Sequence, residues 1–313
     1  MTDRHNDRLA CLPARVSALD VAAHVTELIA VDGLELVFWD GGELPERHDE
    51  VGFVVPPDLF RRPELLTEFG ALEVVQTVSA GVDRVLPHLP TGVTLCSANG
   101  VHGGSVAEWV LAAVLGVLRE IPAFADEQHR GRWNTRTTDE LAGLRALVIG
   151  AGDLGRAIAR RLEPFDVAVT LVGRRARDRV RAISALPALL PDADIVIVVV
   201  PLTGDTRGMV DASFLAAMPD GAMIVNAARG PVVDTGALLA ELQAGRLRAI
   251  LDVTDPEPLP PEHPLWLAPG VLVTPHVAGN VPGFPGRALA LINAQLQRWV
   301  AGEALVNVVS GSY

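Results

Sequence analysis

Short apolar runs alternate with segments of helical periodicity along almost the whole chain, and this alternation restricts the fold more than any other feature. Apolar runs of this length are typical of strands buried on both faces of a parallel sheet. The helical segments between them supply the crossovers that parallel strands need. The 313 residues exceed one ordinary hydrophobic core. The sequence therefore predicts an α/β protein with two doubly wound parallel-sheet domains and a cleft.

The predicted strands and two predicted helices suggest where the domains divide. We divide the chain into one domain of residues 1–98 with 287–313 and another of residues 99–286. The predicted helices are Ser105–Ile121, which is apolar enough to be buried, and Arg287–Ala301. Strands are predicted in the first domain at Leu34–Phe38, Val51–Val55, Leu72–Thr77 and Val93–Cys96, and in the second at Arg145–Ile149, Val167–Val172, Asp194–Val200, Met223–Asn226, Arg248–Asp252 and Val271–Thr274.

The composition excludes several classes of chemistry. All 26 basic residues are arginine and lysine is absent, so neither a lysine Schiff base nor a P-loop lysine can exist. The single tyrosine is Tyr313, so a tyrosine proton donor is not expected. Histidine is therefore the expected proton carrier if the chain transfers hydride.

The charge and the cysteines bear on partners and location. A net charge of -12 at pH 7 repels nucleic acid, and no apolar stretch approaches the ~20 residues of a membrane span. Cys11 and Cys96 lack the spacing of metal ligands. We expect a cytoplasmic protein with no bound metal, no nucleic acid and no membrane partner.

A glycine motif follows the predicted strand that ends at Ile149. Gly150, Gly152 and Gly155 have the spacing of a dinucleotide-binding turn, with Asp153 and Leu154 between the last two. In that turn Gly150 bends the chain, Gly152 admits the coenzyme phosphates, and Gly155 lets helix and strand pack closely. A glycine-rich turn in another doubly wound fold is the alternative, which the strand before the motif and the helix after it disfavour.

Three later segments place reactive side chains after predicted strands. Arg229 is expected at the carboxyl edge of the sheet, where a guanidinium suits a carboxylate and a carbonyl oxygen, and pairing with a local acid is the alternative. Glu257 and His276 follow the next two strands, and such a pair would stabilise an imidazolium able to protonate an alkoxide. A solvated acid and a capping histidine are the alternative there, and His102 and His263 compete because they also lie in loops.

The joint pattern resembles the D-isomer-specific 2-hydroxyacid dehydrogenases. The resemblance extends over about Leu72–Asn280. Its main motifs are Gly150-x-Gly-x-x-Gly155, Asn226-x-x-Arg229-Gly230, Leu251-Asp252-Val253, Glu257-Pro258 and Thr274-Pro275-His276. Supporting matches are Ser79-Ala-Gly-Val-Asp83, Val106-Ala-Glu108, Pro201-Leu-Thr203 with Thr206-Arg207, and Pro264-Leu265-Trp266.

The resemblance implies a Rossmann dinucleotide-binding domain, residues 99–286, inserted into a flavodoxin-like substrate domain. It implies hydride transfer between NAD(P)H and C2 of a small 2-oxo acid, giving the D-2-hydroxy acid. Arg229 would hold and polarise the substrate, His276 would be the acid/base, and Glu257 would orient and charge His276. The backbone at Ala80 and Gly81 would bind the substrate carboxylate. We also expect a homodimer.

The coenzyme contacts assigned in this way include Asp252, which matches the acid at the nicotinamide carboxamide. The complete set is Gly150, Gly152, Asp153, Leu154, Gly155, Arg174, Arg175, Pro201, Thr206, Ala228, Asp252 and Gly279.

Two departures from the family pattern matter. Members that use NAD carry an acid for the ribose hydroxyls where this chain has Gly173, followed by Arg174 and Arg175. NADP is therefore the expected coenzyme and NAD is the alternative. A solvated basic face is the other interpretation of the arginine run, and it would not favour NADP. The sequence of residues 99–105 also differs from the one usual in the family.

Two other functions stay open. A formate dehydrogenase would share the fold, but that branch has glutamine in place of Glu257. The alternative that is not an enzyme is a binding module that senses dinucleotides, like the related corepressors.

Overall fold

The protein folds into two compact units, seen in a computed structural model that describes residues 8–16, 19–21, 29, 31–57 and 62–310. One unit comprises Met1–His102 with Pro282–Tyr313, and the other comprises Gly103–Val281. The predicted boundaries, after residues 98 and 286, lie a few residues from these.

The second unit is built on a seven-stranded parallel sheet. Its strands are β8 (Arg145–Ile149), β9 (Ala168–Gly173), β10 (Val180–Ala182), β11 (Ile195–Val198), β12 (Met223–Asn226), β13 (Arg248–Leu251) and β14 (Val271–Val273). Their spatial order is β10-β9-β8-β11-β12-β13-β14. The order reverses between β8 and β11, which is the point where open α/β sheets bind ligands beyond the carboxyl ends of their strands.

Both faces of this sheet are buried, as the apolar runs predicted. Along β11, Ile195 and Ile197 join one hydrophobic cluster, and Val196 and Val198 join the other. Because successive side chains of a strand point to opposite faces, an uninterrupted apolar run can belong only to a strand covered on both sides.

The helices of this unit are α1 (Gly103–Leu118), α2 (Ile121–His129), α3 (Asp153–Leu162), α4 (Leu186–Leu189), α5 (Ala212–Ala216) and α6 (Thr235–Gln243). The single predicted helix Ser105–Ile121 is wrong at its carboxyl end. The chain turns at Glu120, which has a left-handed backbone (φ 51°), and Pro122 opens α2. A proline is compatible with the first turn of a new helix but not with the interior of an existing one.

The first unit contains a five-stranded parallel sheet with the order β4-β1-β5-β6-β7. The strands are β1 (Arg8–Pro13), β4 (Leu34–Trp39), β5 (Phe53–Val54), β6 (Val74–Gln76) and β7 (Thr94–Cys96), and β2 (Arg15–Val16) pairs with β3 (Leu19–Asp20) in a separate hairpin. This order is flavodoxin-like and the order in the second unit is Rossmann-like, so the predicted fold class is confirmed.

Some strands differ from the predictions. The central strand β1 was not predicted, since its polar first residue and its terminal Pro13 obscure the apolar run. Edge strand β10, within the arginine run, was also missed. Several predicted strands are too long, as at Val51–Val55, because apolar residues continue beyond the last ladder pair.

The closing helix α7 (Phe284–Ala301) belongs to the first unit. It begins before the predicted Arg287, since Pro285 is accommodated in the first turn. In the described residues, short 3-10 helices lie at His48–Glu50, Pro63–Glu68, Leu86–His88, Glu163–Phe165, Ile183–Ala185, Leu190–Asp192, Gly230–Val232 and Pro264–Leu267.

The two cysteines of the first unit are free and buried. Burial raises the pKa of Cys11 to about 12 and that of Cys96 to about 11. Both thiols are therefore protonated at neutral pH and poor nucleophiles. None of the helices in the described ranges is long and apolar enough to span a membrane.

Candidate active site

Three adjacent strands of the second unit end in register, and the predicted reactive residues follow their ends. Asn226 at the end of β12 pairs with Leu251 of β13, which pairs with Val273 of β14. Parallel strands that end together carry their following loops to the same edge of the sheet. The loops that contain Arg229, Glu257 and His276 therefore leave the sheet side by side.

His276 and Glu257 are in direct contact. The imidazole Nδ1 lies 2.7 Å from Glu257 Oε1, with 46% of the histidine side chain and 28% of the glutamate side chain exposed. A short contact of this kind between a ring N–H and a carboxylate fixes the orientation of the ring. It also directs the proton that can be transferred to the other ring nitrogen, Nε2.

Asp252 holds the loop on which His276 lies. Its buried carboxylate accepts hydrogen bonds from the Thr274 hydroxyl at 2.6 Å and from the backbone N–H groups of Val277 at 2.9 Å and Ala278 at 3.0 Å. The N–H of His276 donates to the Asp252 carbonyl oxygen at 2.8 Å. His276 has a left-handed backbone (φ 54°), a conformation that needs such support in a residue other than glycine.

The turn after β12 presents Arg229. Buried Asn226 closes the turn: its side-chain oxygen accepts from the Ala228 N–H at 3.1 Å, and its side-chain nitrogen donates to the Arg229 carbonyl oxygen at 3.1 Å. The guanidinium of Arg229 donates to the Ala228 carbonyl oxygen at 2.8 Å. The half-buried guanidinium is thereby anchored at the sheet edge.

Gly230 brings this turn against the loop of Glu257. A methyl group at Gly230 would overlap the carbonyl group of Thr254, and only 2.7 Å would separate it from the backbone nitrogen of Asp255. The Thr235 hydroxyl also donates to the Asp255 carbonyl oxygen at 3.0 Å. The backbones that carry Arg229 and Glu257 are therefore packed directly on each other.

The glycine turn between β8 and α3 fits the phosphates of a dinucleotide. A methyl group at Gly155 would overlap the carbonyl oxygen of Gly150, so the helix can approach the strand only with glycine there. Gly150 has φ 120°, a backbone conformation that L side chains rarely adopt. Gly152 is exposed, with open space around its α-carbon, and precedes the first turn of α3. The exposed backbone and the helix N-terminus form a site suited to negatively charged phosphates.

Comparison with known proteins agrees with this geometry. The profile of the D-isomer specific 2-hydroxyacid dehydrogenase NAD-binding domain matches residues 111–278. The chain belongs to the D-isomer specific 2-hydroxyacid dehydrogenases. It is an NAD(P)-dependent oxidoreductase of 2-oxo acids, as its relatives are.

Among these relatives, glyoxylate reductase/hydroxypyruvate reductase of Mus musculus is 32% identical over 294 residues, which cover 87% of this chain and 89% of the mouse protein.

Solved structures of other 2-hydroxyacid dehydrogenases share the fold over nearly the full length. The enzyme of Xanthobacter autotrophicus Py2, crystallised with NADPH and MES, has a TM-score of 0.80 and 34% identity, covering 96% of this chain and 98% of that one. The NADPH-dependent glyoxylate/hydroxypyruvate reductase of Sinorhizobium meliloti, crystallised with NADP and sulfate, has a TM-score of 0.83 and 28% identity, covering 97% and 98%.

The remaining predicted coenzyme residues of this dehydrogenase lie in loops that follow strands of the same sheet. Thr206 donates its hydroxyl to the Pro201 carbonyl oxygen at 2.6 Å in the loop after β11. Arg174 and Arg175 are exposed directly after β9, and Ala228 and Gly279 lie in the loops of Arg229 and His276.

The two predicted substrate residues Ala80 and Gly81 lie in the first unit, in the turn after β6. The Ser79 hydroxyl donates to the Gly81 carbonyl oxygen at 2.6 Å, and Thr77 donates to the Ser79 carbonyl oxygen at 2.7 Å. The turn thus has a defined shape, and its role in binding the substrate stays a prediction.

The two competing histidines have other contacts. His263 caps the 3-10 helix Pro264–Leu267, and its Nδ1 accepts from the Leu265 N–H at 3.2 Å. His102 lies in the first unit, stacked on Phe284 at 4.7 Å between ring centroids, with Nε2 3.1 Å from the Val78 carbonyl oxygen. His276, in contrast, has its ring nitrogen hydrogen-bonded to the carboxylate of Glu257.

Several residues that shape the site were not among the predicted site residues. Asn226 and Thr274 make hydrogen bonds there, and Gly230 permits a close approach of two loops. The side chain of Arg177 reaches the glycine turn. Asn226, Gly230 and Thr274 belong to the quoted motifs, so their positions carried a signal. Arg177 carried none, because nothing in the arginine run distinguishes it from its neighbours.

Proposed function

We infer that this dehydrogenase is a glyoxylate/hydroxypyruvate-type reductase that prefers NADPH and uses His276 as its acid/base. The observation that carries the inference is the 2.7 Å contact between His276 and Glu257 at the carboxyl edge of the sheet. Relatives of this chain are named for glyoxylate and hydroxypyruvate reduction, which supports these two substrates.

The placement of the side chains supports the following reaction. A reduced nicotinamide, when bound, supplies a hydride to C2 of the 2-oxo acid. Nε2 of His276 gives its proton to the carbonyl oxygen, and Glu257 stabilises the imidazolium before the transfer. Arg229 binds the substrate through its guanidinium and stabilises the negative charge that develops on that oxygen. The product is the 2-hydroxy acid, and the reverse sequence oxidises it.

The preference for NADPH rests on the end of β9. Gly173 has no side chain that could bind the ribose hydroxyls, and exposed Arg174 and Arg175 follow it. A carboxylate at this position would repel a 2′-phosphate, whereas guanidinium groups form charge-assisted hydrogen bonds with it. The NADPH and NADP bound to the Xanthobacter and Sinorhizobium proteins support the same preference.

A homodimer and a cytoplasmic location complete the proposal. Both are expectations of the sequence analysis, and the two protonated, buried thiols are compatible with a reducing compartment.

The decisive experiment is a substrate panel with purified protein. Glyoxylate, hydroxypyruvate, pyruvate and longer 2-oxo acids are each offered with NADPH and with NADH, and coenzyme oxidation is followed by absorbance. Glyoxylate or hydroxypyruvate should have the highest kcat/KM, with NADPH.

Two outcomes would replace the proposal. Oxidation of formate by NADP or NAD without reduction of any 2-oxo acid would indicate a formate dehydrogenase. Tight coenzyme binding, measured by fluorescence, without turnover of any substrate would indicate a module that senses dinucleotides.

A further inference from the structure

The arginine run after β9 contains one side chain that turns back to the glycine motif. Arg177 donates from its guanidinium to the carbonyl oxygen of Ala151 at 2.7 Å. Ala151 lies inside the Gly150–Gly155 motif and is buried. A side chain from beyond the second strand therefore holds the turn that follows the first strand.

The backbone of Arg177 is itself fixed. Arg177 and Val180 exchange both of their backbone hydrogen bonds, at 3.1 Å and 2.9 Å, and Val180 pairs with Leu171 of β9. The tight turn between Arg177 and Val180 includes Arg179 in the left-handed region (φ 54°). Arg177 thus extends from a short hairpin that leads into β10 and is anchored to the sheet. We call residues 177–182 the β10 hairpin.

Three segments converge where this contact lies. A methyl group at Gly173 would lie 3.1 Å from Val180 Cγ1 and 3.5 Å from Ala151 Cβ. Arg177 is hydrogen-bonded to both of these residues. The Gly150 N–H donates to the Val172 carbonyl oxygen at 2.9 Å. The glycine motif is therefore held to β9 by its backbone at Gly150 and to the β10 hairpin by Arg177 at Ala151.

We propose that Arg177 is a positioning residue for dinucleotide binding as such, and that it does not select between NADPH and NADH. By holding the Ala151 carbonyl oxygen it keeps the turn at Gly150–Gly155 in the form whose N–H groups bind the coenzyme phosphates. Since these phosphates are common to both coenzymes, Arg177 serves both equally. The proposal rests on dinucleotide binding by the second unit and on no particular 2-oxo acid.

The test compares Arg177→Gln with Arg181→Gln, a matched loss of charge in the same run. Dissociation constants for NADPH and NADH are measured by fluorescence titration, with melting temperatures to check folding. Arg177→Gln should weaken both coenzymes by about tenfold, the scale expected for one hydrogen bond from a charged donor. The NADPH/NADH affinity ratio should stay within about twofold of wild type. Arg181→Gln should change either constant by less than about twofold.

Two further readouts separate positioning from general damage. In the Arg177 variant the KM for the coenzyme should rise while kcat at saturating coenzyme and the KM for the 2-oxo acid stay unchanged. Hydrogen exchange of the amides from Gly152 to Gly155 should be faster in the coenzyme-free variant. If Arg177→Gln does not fold, Arg177→Met, which keeps the aliphatic stem, replaces it.

A selective loss of NADPH affinity would overturn the proposal and make Arg177 a ligand of the 2′-phosphate. Unchanged affinities, or an equal loss in Arg181→Gln, would overturn it as well. A wild-type protein that binds both coenzymes but reduces no 2-oxo acid would refute the proposed function and leave this test intact.

Discussion

The imidazole Nδ1 of His276 lies 2.7 Å from Oε1 of Glu257, although the two residues are 19 positions apart in the sequence. Each residue follows the end of a different parallel strand, β14 for His276 and β13 for Glu257. The register of these strands, with Leu251 opposite Val273, brings their loops together. The loop conformation held by Asp252 then orients the imidazole towards the carboxylate.

Replacing His276 with alanine should lower kcat about 10²–10⁴-fold, the usual contribution of a placed general acid. The dissociation constant for NADPH should change little, because the glycine turn and the arginine run are untouched. Steady-state kinetics and fluorescence titration measure the two effects. Near-normal turnover would remove His276 from the mechanism.

Glu257→Gln should move the pH profile for 2-oxo acid reduction to lower pH. Reduction needs the imidazolium, and a neutral amide stabilises that charge less than the carboxylate does. The fall of kcat/KM with rising pH should therefore begin earlier in the variant. An unchanged profile would show that another group sustains the charge of His276.

Arg229→Lys should impair both substrate binding and turnover even though the charge is kept. A point-like ammonium cannot make the forked contact of a guanidinium with a carboxylate and a carbonyl oxygen. Arg248→Lys is the matched control, since Arg248 begins β13 at the opposite end of the sheet. If the two variants have the same kinetics, Arg229 has no role in binding substrate.

With the same 2-oxo acid, kcat/KM should favour NADPH over NADH by about tenfold or more, a difference of only ~1.4 kcal/mol. Arg174→Ala should reduce this ratio chiefly by weakening NADPH, because Arg174 directly follows Gly173, the position that an acid occupies in NAD-dependent members. Arg181→Ala should leave the ratio near its wild-type value. Equal efficiency with NADH in the wild-type protein would show that the arginine run is ordinary surface.

Gly230→Ala should destabilise the protein by about 1–3 kcal/mol, the usual cost of overpacking, and should lower kcat as well. The new methyl group would overlap the Thr254 carbonyl and displace the loop that carries Glu257. Gly116→Ala, within α1, adds a methyl group that meets nothing within 4 Å beyond its chain neighbours and the backbone of its own helix, so it should stabilise the protein by roughly 0.5–1 kcal/mol. Denaturant unfolding and steady-state kinetics of both variants provide the comparison, and equal stabilities would contradict the close approach at Gly230.

The sequence by itself determined the fold class and the order of the chemical groups. Buried parallel strands need apolar residues on both faces, so β8, β11 and β12 were recognisable from composition alone. The glycine motif was equally recognisable, because its spacing is set by steric requirements of the turn that involve only a few neighbouring residues. Where local signals conflict, as at Pro13 in β1 or Pro122 at the start of α2, the sequence misplaced strands and helix ends.

Only the tertiary structure decided which side chains meet. The motif Thr274-Pro275-His276 favoured His276 over His263, but no short segment shows that His276 meets Glu257 or that Arg177 meets Ala151. Strand register brings Glu257 to His276, and the β10 hairpin brings Arg177 to Ala151. Such contacts join residues far apart in the chain. They depend on the relative placement of whole strands, which is set by the packing of both faces of the sheet rather than by any short segment.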